Sequence, residues 1–275
     1  MAEFPWLEEA RHLLQQRRPF VLATLVEKKG HGPREPGTRA IVLEDGTLLG
    51  TIGGGETEQT VVRDAQEVFR TRQARLKTYA FTHEGCGGVV TVFLELFEPD
   101  PLLYIFGGGH VGTALAEAMA GTQFDIVVIE PHRKPSLPPG VQWLDQPAEE
   151  VLPHLIYDHR YTYLVVTTYS HRIDEAIARE VLDRPFRYLG VIGSESKCKA
   201  LKIRLKRLGA TDAQLARLRC PMGLFKGRRP KEVAISVAAE ILQVAREPAP
   251  SAEAPDRERV RVAPGEPDDP AKSSA

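Results

Sequence analysis

The sequence predicts an α/β chain in two parts, an N-terminal mixed α+β domain followed by a domain built on a doubly wound parallel sheet. Three observations carry that prediction. From residue 102 onward, short apolar runs alternate with helical stretches, the rhythm of parallel strands joined by crossover helices. A glycine-rich turn, Gly107-Gly108-Gly109-His110-Val111-Gly112, follows the first of those strands directly. Between the two textures, Glu98-Pro99-Asp100-Pro101 sets prolines at alternate positions, which stops regular structure and marks the boundary.

Residues 1–99 make the first domain. Residues 4–16 bring Phe4, Leu7, Ala10, Leu13 and Leu14 near helical spacing. Residues 20–26 and 39–43 read as strands, and Glu44-Asp45-Gly46-Thr47 is a hairpin turn signal. A helix is expected over 56–72, after Gly53-Gly54-Gly55. Strands are expected at 76–81 and 89–97, the second rich in Val, Phe and Leu.

The second domain is expected to span 100–246. Its strands fall at 102–106, 125–129, 141–144, 162–168 and 187–192, and its helices at 110–120, 148–155, 173–182 and 197–208. A last helix, 230–245, sets Val233, Val237, Ala238, Ile241 and Val244 at helical spacing and is expected to pack back on the sheet. Residues 247–275 are Pro, Ala, Ser and charge with almost no large apolar side chains, and are expected to form a disordered tail.

Composition narrows the function. A length of 275 residues with 42% apolar content builds one large core or two ordinary ones. A net charge of −1 gives no global electrostatic reason to expect nucleic acid. The opening Met1–Glu9 stretch carries acids where a signal peptide carries bases, and no apolar run approaches the ~18 residues that span a bilayer. The expectation is a soluble, cytoplasmic protein with no nucleic-acid or membrane partner. The cysteines, Cys86, Cys198 and Cys220, are odd in number, widely spaced and without Cys-x-x-Cys, which argues against a disulfide framework or a structural zinc site.

The turn at 107–112 has the Gly-x-Gly-x-x-Gly pattern of a Rossmann-type domain. Gly107, Gly109 and Gly112 suit a tight turn, close backbone approach to a pyrophosphate, and close helix–strand packing. The helix N-terminus that begins at His110 offers free N–H groups to phosphate. The second strand ends at Glu130, placed to accept a hydrogen bond from a ribose hydroxyl. His132 and Arg133 just beyond could favour a 2′-phosphate or be plain surface, so NAD and NADP stay undivided. The competing reading is a scaffold whose turn only shapes the backbone.

The first domain holds a second glycine cluster. Gly32-Pro33-Arg34-Glu35-Pro36-Gly37-Thr38-Arg39 is followed by Gly50-Thr51-Ile52-Gly53-Gly54-Gly55-Glu56-Thr57-Glu58. Gly53, Gly54 and Gly55 at a strand–helix junction can present backbone N–H groups to a ligand, and Arg34 and Arg39 could add charge-assisted bonds to an oxyanion. Cys86, between glycines, is placed for thiolate chemistry or soft-metal ligation. Against this stand a tight turn for the glycines and an inert small residue for Cys86.

Four stretches resemble the XdhC/CoxI family, accessory proteins for xanthine dehydrogenase and other molybdenum hydroxylases. They are Gly32–Thr38, Gly50–Gly55, Cys86-Gly87-Gly88, and Cys220-Pro221-Met222-Gly223-Leu224 with Glu232–Glu240. Residues Tyr188–Ser194 and Lys197 also resemble the family's Rossmann-domain signature. The resemblance implies a carrier rather than an enzyme with its own turnover. Such a carrier binds molybdenum cofactor (molybdopterin), assists its sulfuration, and delivers it to an apo molybdenum hydroxylase, xanthine dehydrogenase or CO-dehydrogenase-like. A cysteine desulfurase and a second copy of the chain, as a homodimer, are the further partners it implies. Where many members carry cysteine after the triple glycine, this chain has Glu56. A carboxylate is not a soft ligand, so either Cys86 takes that contact or this chain has lost tight cofactor binding or changed its step or client.

Other residues weigh less. His171 and Asp174 follow a central strand, where open α/β sheets place ligands, and could orient a nucleotide or do acid–base work. The run Lys199, Lys202, Arg204, Lys206 and Arg207 reads first as a solvated helix face and second as a docking surface for an acidic partner. The glycine and proline of the Cys220 loop read as shape rather than chemistry. The rival functions are an NAD(P)-dependent oxidoreductase and a nucleotide-binding sensor, both using the Rossmann turn.

Overall fold

The computed structural model describes residues 5–30, 34–83, 86–131 and 136–247, the side chains of 81–83 and 86 excepted. The expected tail beyond 247 and the pair His132 and Arg133 lie outside the described residues.

The first domain runs α1 (Trp6–Gln15), β1 (Phe20–Gly30), β2 (Arg39–Leu43), β3 (Leu48–Gly50), α2 (Gly55–Thr71), β4 (Arg75–His83) and β5 (Cys86–Phe97). Its strands form one antiparallel sheet in the order β3-β2-β1-β5-β4. Alternation along the strands splits the core between two faces. Phe20, Leu22, Ile41 and Leu43 meet Ala10 and Leu13 of α1. Val21, Ala23, Leu25, Ala40 and Val42 meet Val61, Ala65 and Val68 of α2 on the opposite face.

β1 is longer than the expected 20–26. Glu27, Lys28 and Lys29 lack the alternation that marks a half-buried strand, yet their backbones continue pairing with β5 beyond a register shift at Leu25/Glu27.

The second domain runs β6 (Leu102–Phe106), α3 (His110–Met119), β7 (Asp125–Ile129), β8 (Gln142–Leu144), α4 (Ala148–Val151), a 3-10 turn at Leu152–His154, β9 (Thr162–Val166), α5 (His171–Leu182) and β10 (Tyr188–Val191). It closes with α6 (Glu195–Arg207), α7 (Asp212–Arg217), β11 (Leu218–Arg219) and α8 (Pro230–Arg246). All six strands are parallel, in the order β11-β10-β9-β6-β7-β8. The order reverses direction at β6 and β9, the switch point where such sheets bind ligands. Tyr104 and Phe106 face a core shared with Ile177, Leu201 and Leu205 of α5 and α6. Leu103 and Ile105 face the other, with Leu115 and Met119 of α3 and Val237 and Ile241 of α8. The last helix therefore packs back on the sheet, lying along α3.

The domains meet at the N-terminal edge of the parallel sheet. Arg17 bonds Asp125 and the Asp100 carbonyl. Arg160 grips Glu44 through both oxygens, at 2.7 and 3.1 Å. Tyr161 donates to Glu98 at 2.5 Å, and Arg72 pairs with the same carboxylate.

One expectation needs correction. Cys198 and Cys220 form a disulfide, although odd number and wide spacing argued against any. The separation of 22 residues is spent on α6, α7 and β11, and β11 returns beside β10. The start of α6 and the end of β11 thus meet at one sheet edge, a proximity that chain spacing does not report.

Candidate functional site

The glycine turn sits at the C-terminal end of β6, at the switch point. Its three motif glycines have different reasons to lack a side chain. Gly107 has φ +104°, and a Cβ there would stand 2.5 Å from the Thr167 carbonyl oxygen. A Cβ on Gly112 would overlap the Gly107 carbonyl and lie 3.0 Å from Thr167 Oγ1. These two are fixed by packing. Gly109, at the N-cap of α3, has φ −72°, and its Cβ would meet nothing within 4 Å among the described residues. Among the described residues no neighbour explains glycine there. An open position at a helix N-terminus is where a phosphate approaches the backbone. His110 begins α3 and is exposed beside it.

Glu130 directly follows β7, and its carboxylate accepts from the Gly108 N–H at 2.6 Å. It thereby ties the tip of the second strand to the glycine turn. Thr167, which sequence reasoning passed over, secures the other side: its hydroxyl donates toward the carbonyls of Phe106 and Gly107, at 3.1 and 3.2 Å.

Past β9, Thr168 donates to Asp174 at 2.6 Å, and His171 Nδ1 lies 3.5 Å from the other Asp174 oxygen. Asp174 is buried, and that burial pushes its carboxyl above the ordinary value, opposed by the bonds from Thr168 and His171. His171 itself is exposed.

The Cys220 loop is clipped by α8. Gly223 N–H donates to Glu240 at 2.6 Å, Phe225 N–H to Ser236 Oγ at 2.8 Å, and the Ser236 hydroxyl back to the Phe225 carbonyl at 2.7 Å. Glu240 also accepts from Tyr188 at 2.7 Å in a buried bond. Ser236 and Glu240, four apart on one helix face, thus explain physically why the Cys-Pro-Met-Gly-Leu and Glu232–Glu240 stretches occur together.

In the first domain the triple glycine is organised by a residue of the cluster to which sequence reading gave no role. Glu58, in the first turn of α2, reaches back with one oxygen to three donors: Thr51 Oγ1 at 2.5 Å, Ile52 N–H at 3.1 Å and Gly54 N–H at 2.9 Å. Gly53 N–H donates to Thr51 Oγ1 at 3.2 Å. The Gly53 and Gly54 donors expected to face a ligand are therefore engaged internally. Gly54 and Gly55, at φ +85° and +70°, would each place a Cβ with nothing within 4 Å among the described residues. Glu56 is exposed on the first turn. An acid that follows a loop threonine and sits in the first helical turn is a legible reach-back signal, and it could have identified Glu58.

Arg39 is not brought to this loop. It lies on the α1 face with Ile41 and Leu43, its guanidinium 4.7 Å over the Trp6 ring. Arg34 is half-buried ahead of β2. The backbone of Cys86 opens β5, and its side chain lies outside the described residues.

The contacts of α2 fix where this cluster stands. Glu67 pairs with Arg75, and Asp64 with Lys77 and Tyr79, so the helix runs back along β4 toward the β4–β5 hairpin. The glycines at its start therefore lie about 25 Å of helix away from the domain junction at Arg72. The Rossmann turn lies about 16 Å of strand beyond that junction on its other side. Within one chain the two glycine clusters stand at opposite ends.

Among the described residues no helix is long and apolar enough to cross a membrane, and no group of three or more His, Cys, Asp or Glu side chains is placed to hold a metal.

Comparison with known proteins agrees with this two-part architecture. The model of the XdhC Rossmann domain matches residues 103–241, and that of the XdhC and CoxI family matches 13–80. The chain is 31% identical over 248 residues to the uncharacterized protein YqeB of Escherichia coli (strain K12), covering 86% of this chain and 45% of that protein. It is 29% identical over 156 residues to a probable xanthine dehydrogenase subunit of Bacillus subtilis (strain 168), covering 55% of this chain and 45% of that one. It is 26% identical to the molybdenum cofactor insertion chaperone PaoD of Escherichia coli (strain K12), covering 86% of this chain and 87% of that one. The chain thus spans less than half the length of YqeB and of the Bacillus protein, and most of PaoD. On the match of both domains, in order, the chain belongs to the XdhC and CoxI family.

Proposed function

We propose that this protein is an accessory factor that receives molybdenum cofactor as cargo and hands it to an apo molybdenum hydroxylase, assisting sulfuration while it holds it. The observation that carries the reading is Gly109: its neighbours Gly107 and Gly112 are glycine for packing, whereas Gly109 opens onto space at the N-terminus of α3. That cradle suits the phosphate of a pterin cofactor or the pyrophosphate of its dinucleotide form. In this reading Gly107–Gly109, His110 and the α3 N-terminus hold the phosphate end, with Gly112 shaping the turn and Glu130 fixing the Gly108 side.

The molybdenum end falls to the first domain. Gly53–Gly55 allow close approach, and Cys86, toward whose hairpin α2 begins, supplies the soft thiolate contact that Glu56 does not. Arg34 is the cationic contact; Arg39, on the other face, serves α1. Because the two clusters stand at opposite ends of one chain, the reading calls for a homodimer in which each copy's first domain serves its partner's Rossmann turn. A cysteine desulfurase is the sulfur source, and a xanthine-dehydrogenase-type or CO-dehydrogenase-like enzyme the client.

A second reading, an NAD(P)-dependent oxidoreductase or nucleotide sensor, has Glu130 at the tip of β7 and the His171–Asp174 pair in its favour. Equilibrium binding of purified protein to molybdenum cofactor, set against NAD and NADP, separates the two. Retention of the cofactor supports the accessory role. Its absence, with NAD(P)H-dependent turnover of a small substrate, supports the second reading. In the same assay, unchanged affinity in Cys86→Ser removes that thiol from the site.

A further inference from the structure

We propose that the Cys198–Cys220 pair is a reversible dithiol/disulfide centre that exchanges with a small anionic thiol bound between α5 and α6. The pair is not isolated in the core. A cleft of about 560 Å³ at the C-terminal ends of β9 and β10 is lined by His171, Arg172, Arg179, Lys197 and both cysteines. A second hollow, of about 400 Å³, flanks the same two cysteines on the side of Lys199, Lys202 and Pro221. Both cysteines thus line both cavities.

Charge decides the kind of thiol. In the larger cleft Glu175 is paired with Arg204, and Asp174 is held by Thr168 and His171. Arg172, Arg179 and Lys197 are exposed, and among the described residues none has an ion pair. The acids are thus matched and three cations are left over, a field that concentrates an anionic thiol. The cleft has room for a tripeptide-sized one.

The architecture tolerates both redox states. The Cys220 loop is held independently by Glu240 and Ser236 of α8, and Met222 N–H donates to the Val191 carbonyl at 3.3 Å. Cys198 is held in the first turns of α6, its N–H bonded to the Ser194 carbonyl. Cleaving the bond therefore leaves both sulfurs in place to close again, with their Cα atoms 5.3 Å apart.

The two sulfurs are also unequal. Cys198 is buried at 2% exposure, whereas Cys220 is half-buried. An incoming thiol loses its proton to solvent, and its thiolate attacks Cys220 Sγ. The disulfide bond breaks toward Cys198, whose thiolate leaves beside the α6 N-terminus. A second thiolate then attacks its bound counterpart, releasing the small-molecule disulfide and Cys220 thiolate. Two thiols are oxidised as one protein disulfide is reduced.

The test uses the full chain and glutathione. Exchange is followed by alkylation and peptide mass mapping in glutathione redox buffers, alongside circular dichroism. The expected result is reversible reduction with the fold retained, and exchange about tenfold faster with glutathione than with its diethyl ester after correction for thiolate content. Arg172→Gln combined with Lys197→Gln abolishes that preference. In Cys198→Ser, oxidised glutathione forms a mixed disulfide at Cys220. The proposal is overturned if the bond is reduced only after the chain is unfolded, or if glutathione and its ester react alike. Neither outcome depends on the cysteine variant folding.

Discussion

Glu58→Ala removes one carboxylate oxygen that three donors share, and its cost can be worked from those bonds. Thr51 Oγ1, Ile52 N–H and Gly54 N–H lie at 2.5, 3.1 and 2.9 Å from Glu58 Oε1. A hydrogen bond to a charged group contributes about 1.5–3 kcal/mol, but three on one half-buried oxygen are not additive, because water reaches part of the vacated space. Loss of the acid from the first turn of α2 adds about 0.3–1 kcal/mol. The expected destabilisation is about 2–4 kcal/mol, read as a lower urea midpoint by circular dichroism with an unchanged denaturant slope. Glu58→Gln keeps an acceptor without the charge and is expected to recover about half. A loss below about 0.5 kcal/mol in the alanine variant would refute the idea that this carboxylate organises the triple-glycine loop.

Gly112→Ala forces its Cβ into the Gly107 carbonyl and is expected to cost about 3 kcal/mol, whereas Gly109→Ala leaves stability within about 0.5 kcal/mol; the same urea titration compares them. The phenols of Tyr79, Tyr104, Tyr157, Tyr161, Tyr163 and Tyr188 are raised above 10.0 mainly by burial, that of Tyr157 to about 12. A raised phenol stabilises the fold fully below 10.0 and loses that contribution as pH climbs through the folded value. Tyrosinate absorbance is therefore expected to lag behind that of the unfolded chain and to rise with alkaline unfolding. Burial likewise raises Asp174, so its contribution is full below 3.8 and lost as pH rises through its folded value. Asp174→Asn should match the wild type in acid and gain on it toward neutrality, as thermal unfolding at several pH values would record.

Much of this was legible in the sequence for identifiable reasons. The parallel domain announces itself because its strands are buried on both faces, so runs such as Leu102–Phe106 are wholly apolar and stand out between amphipathic helices. Gly107 and Gly112 are glycine for local steric reasons that any such turn must meet. What the sequence hid depends on contacts between distant residues. Glu58 was legible only as a first-turn acid after a loop threonine; which donors it reaches is set by the path of the loop. Arg39 reads as a neighbour of the glycines, yet strand alternation sends it to the opposite face. The disulfide was invisible because the return of β11 beside β10 rests on a two-residue strand too short to show a pattern. The distance between the two glycine clusters follows from the direction of α2, which no local motif encodes.

The most direct test of the accessory role is equilibrium binding of molybdenum cofactor to the wild-type chain and to Gly109→Ala, both verified as folded. Wild type is expected to retain the cofactor in preference to NAD or NADP. The variant, equally stable, is expected to bind at least about tenfold more weakly, the effect of about 1.4 kcal/mol lost where a methyl group enters the phosphate cradle. Equal affinity in both would contradict the placement of the phosphate at Gly109, and no cofactor binding by the wild type would contradict the role itself.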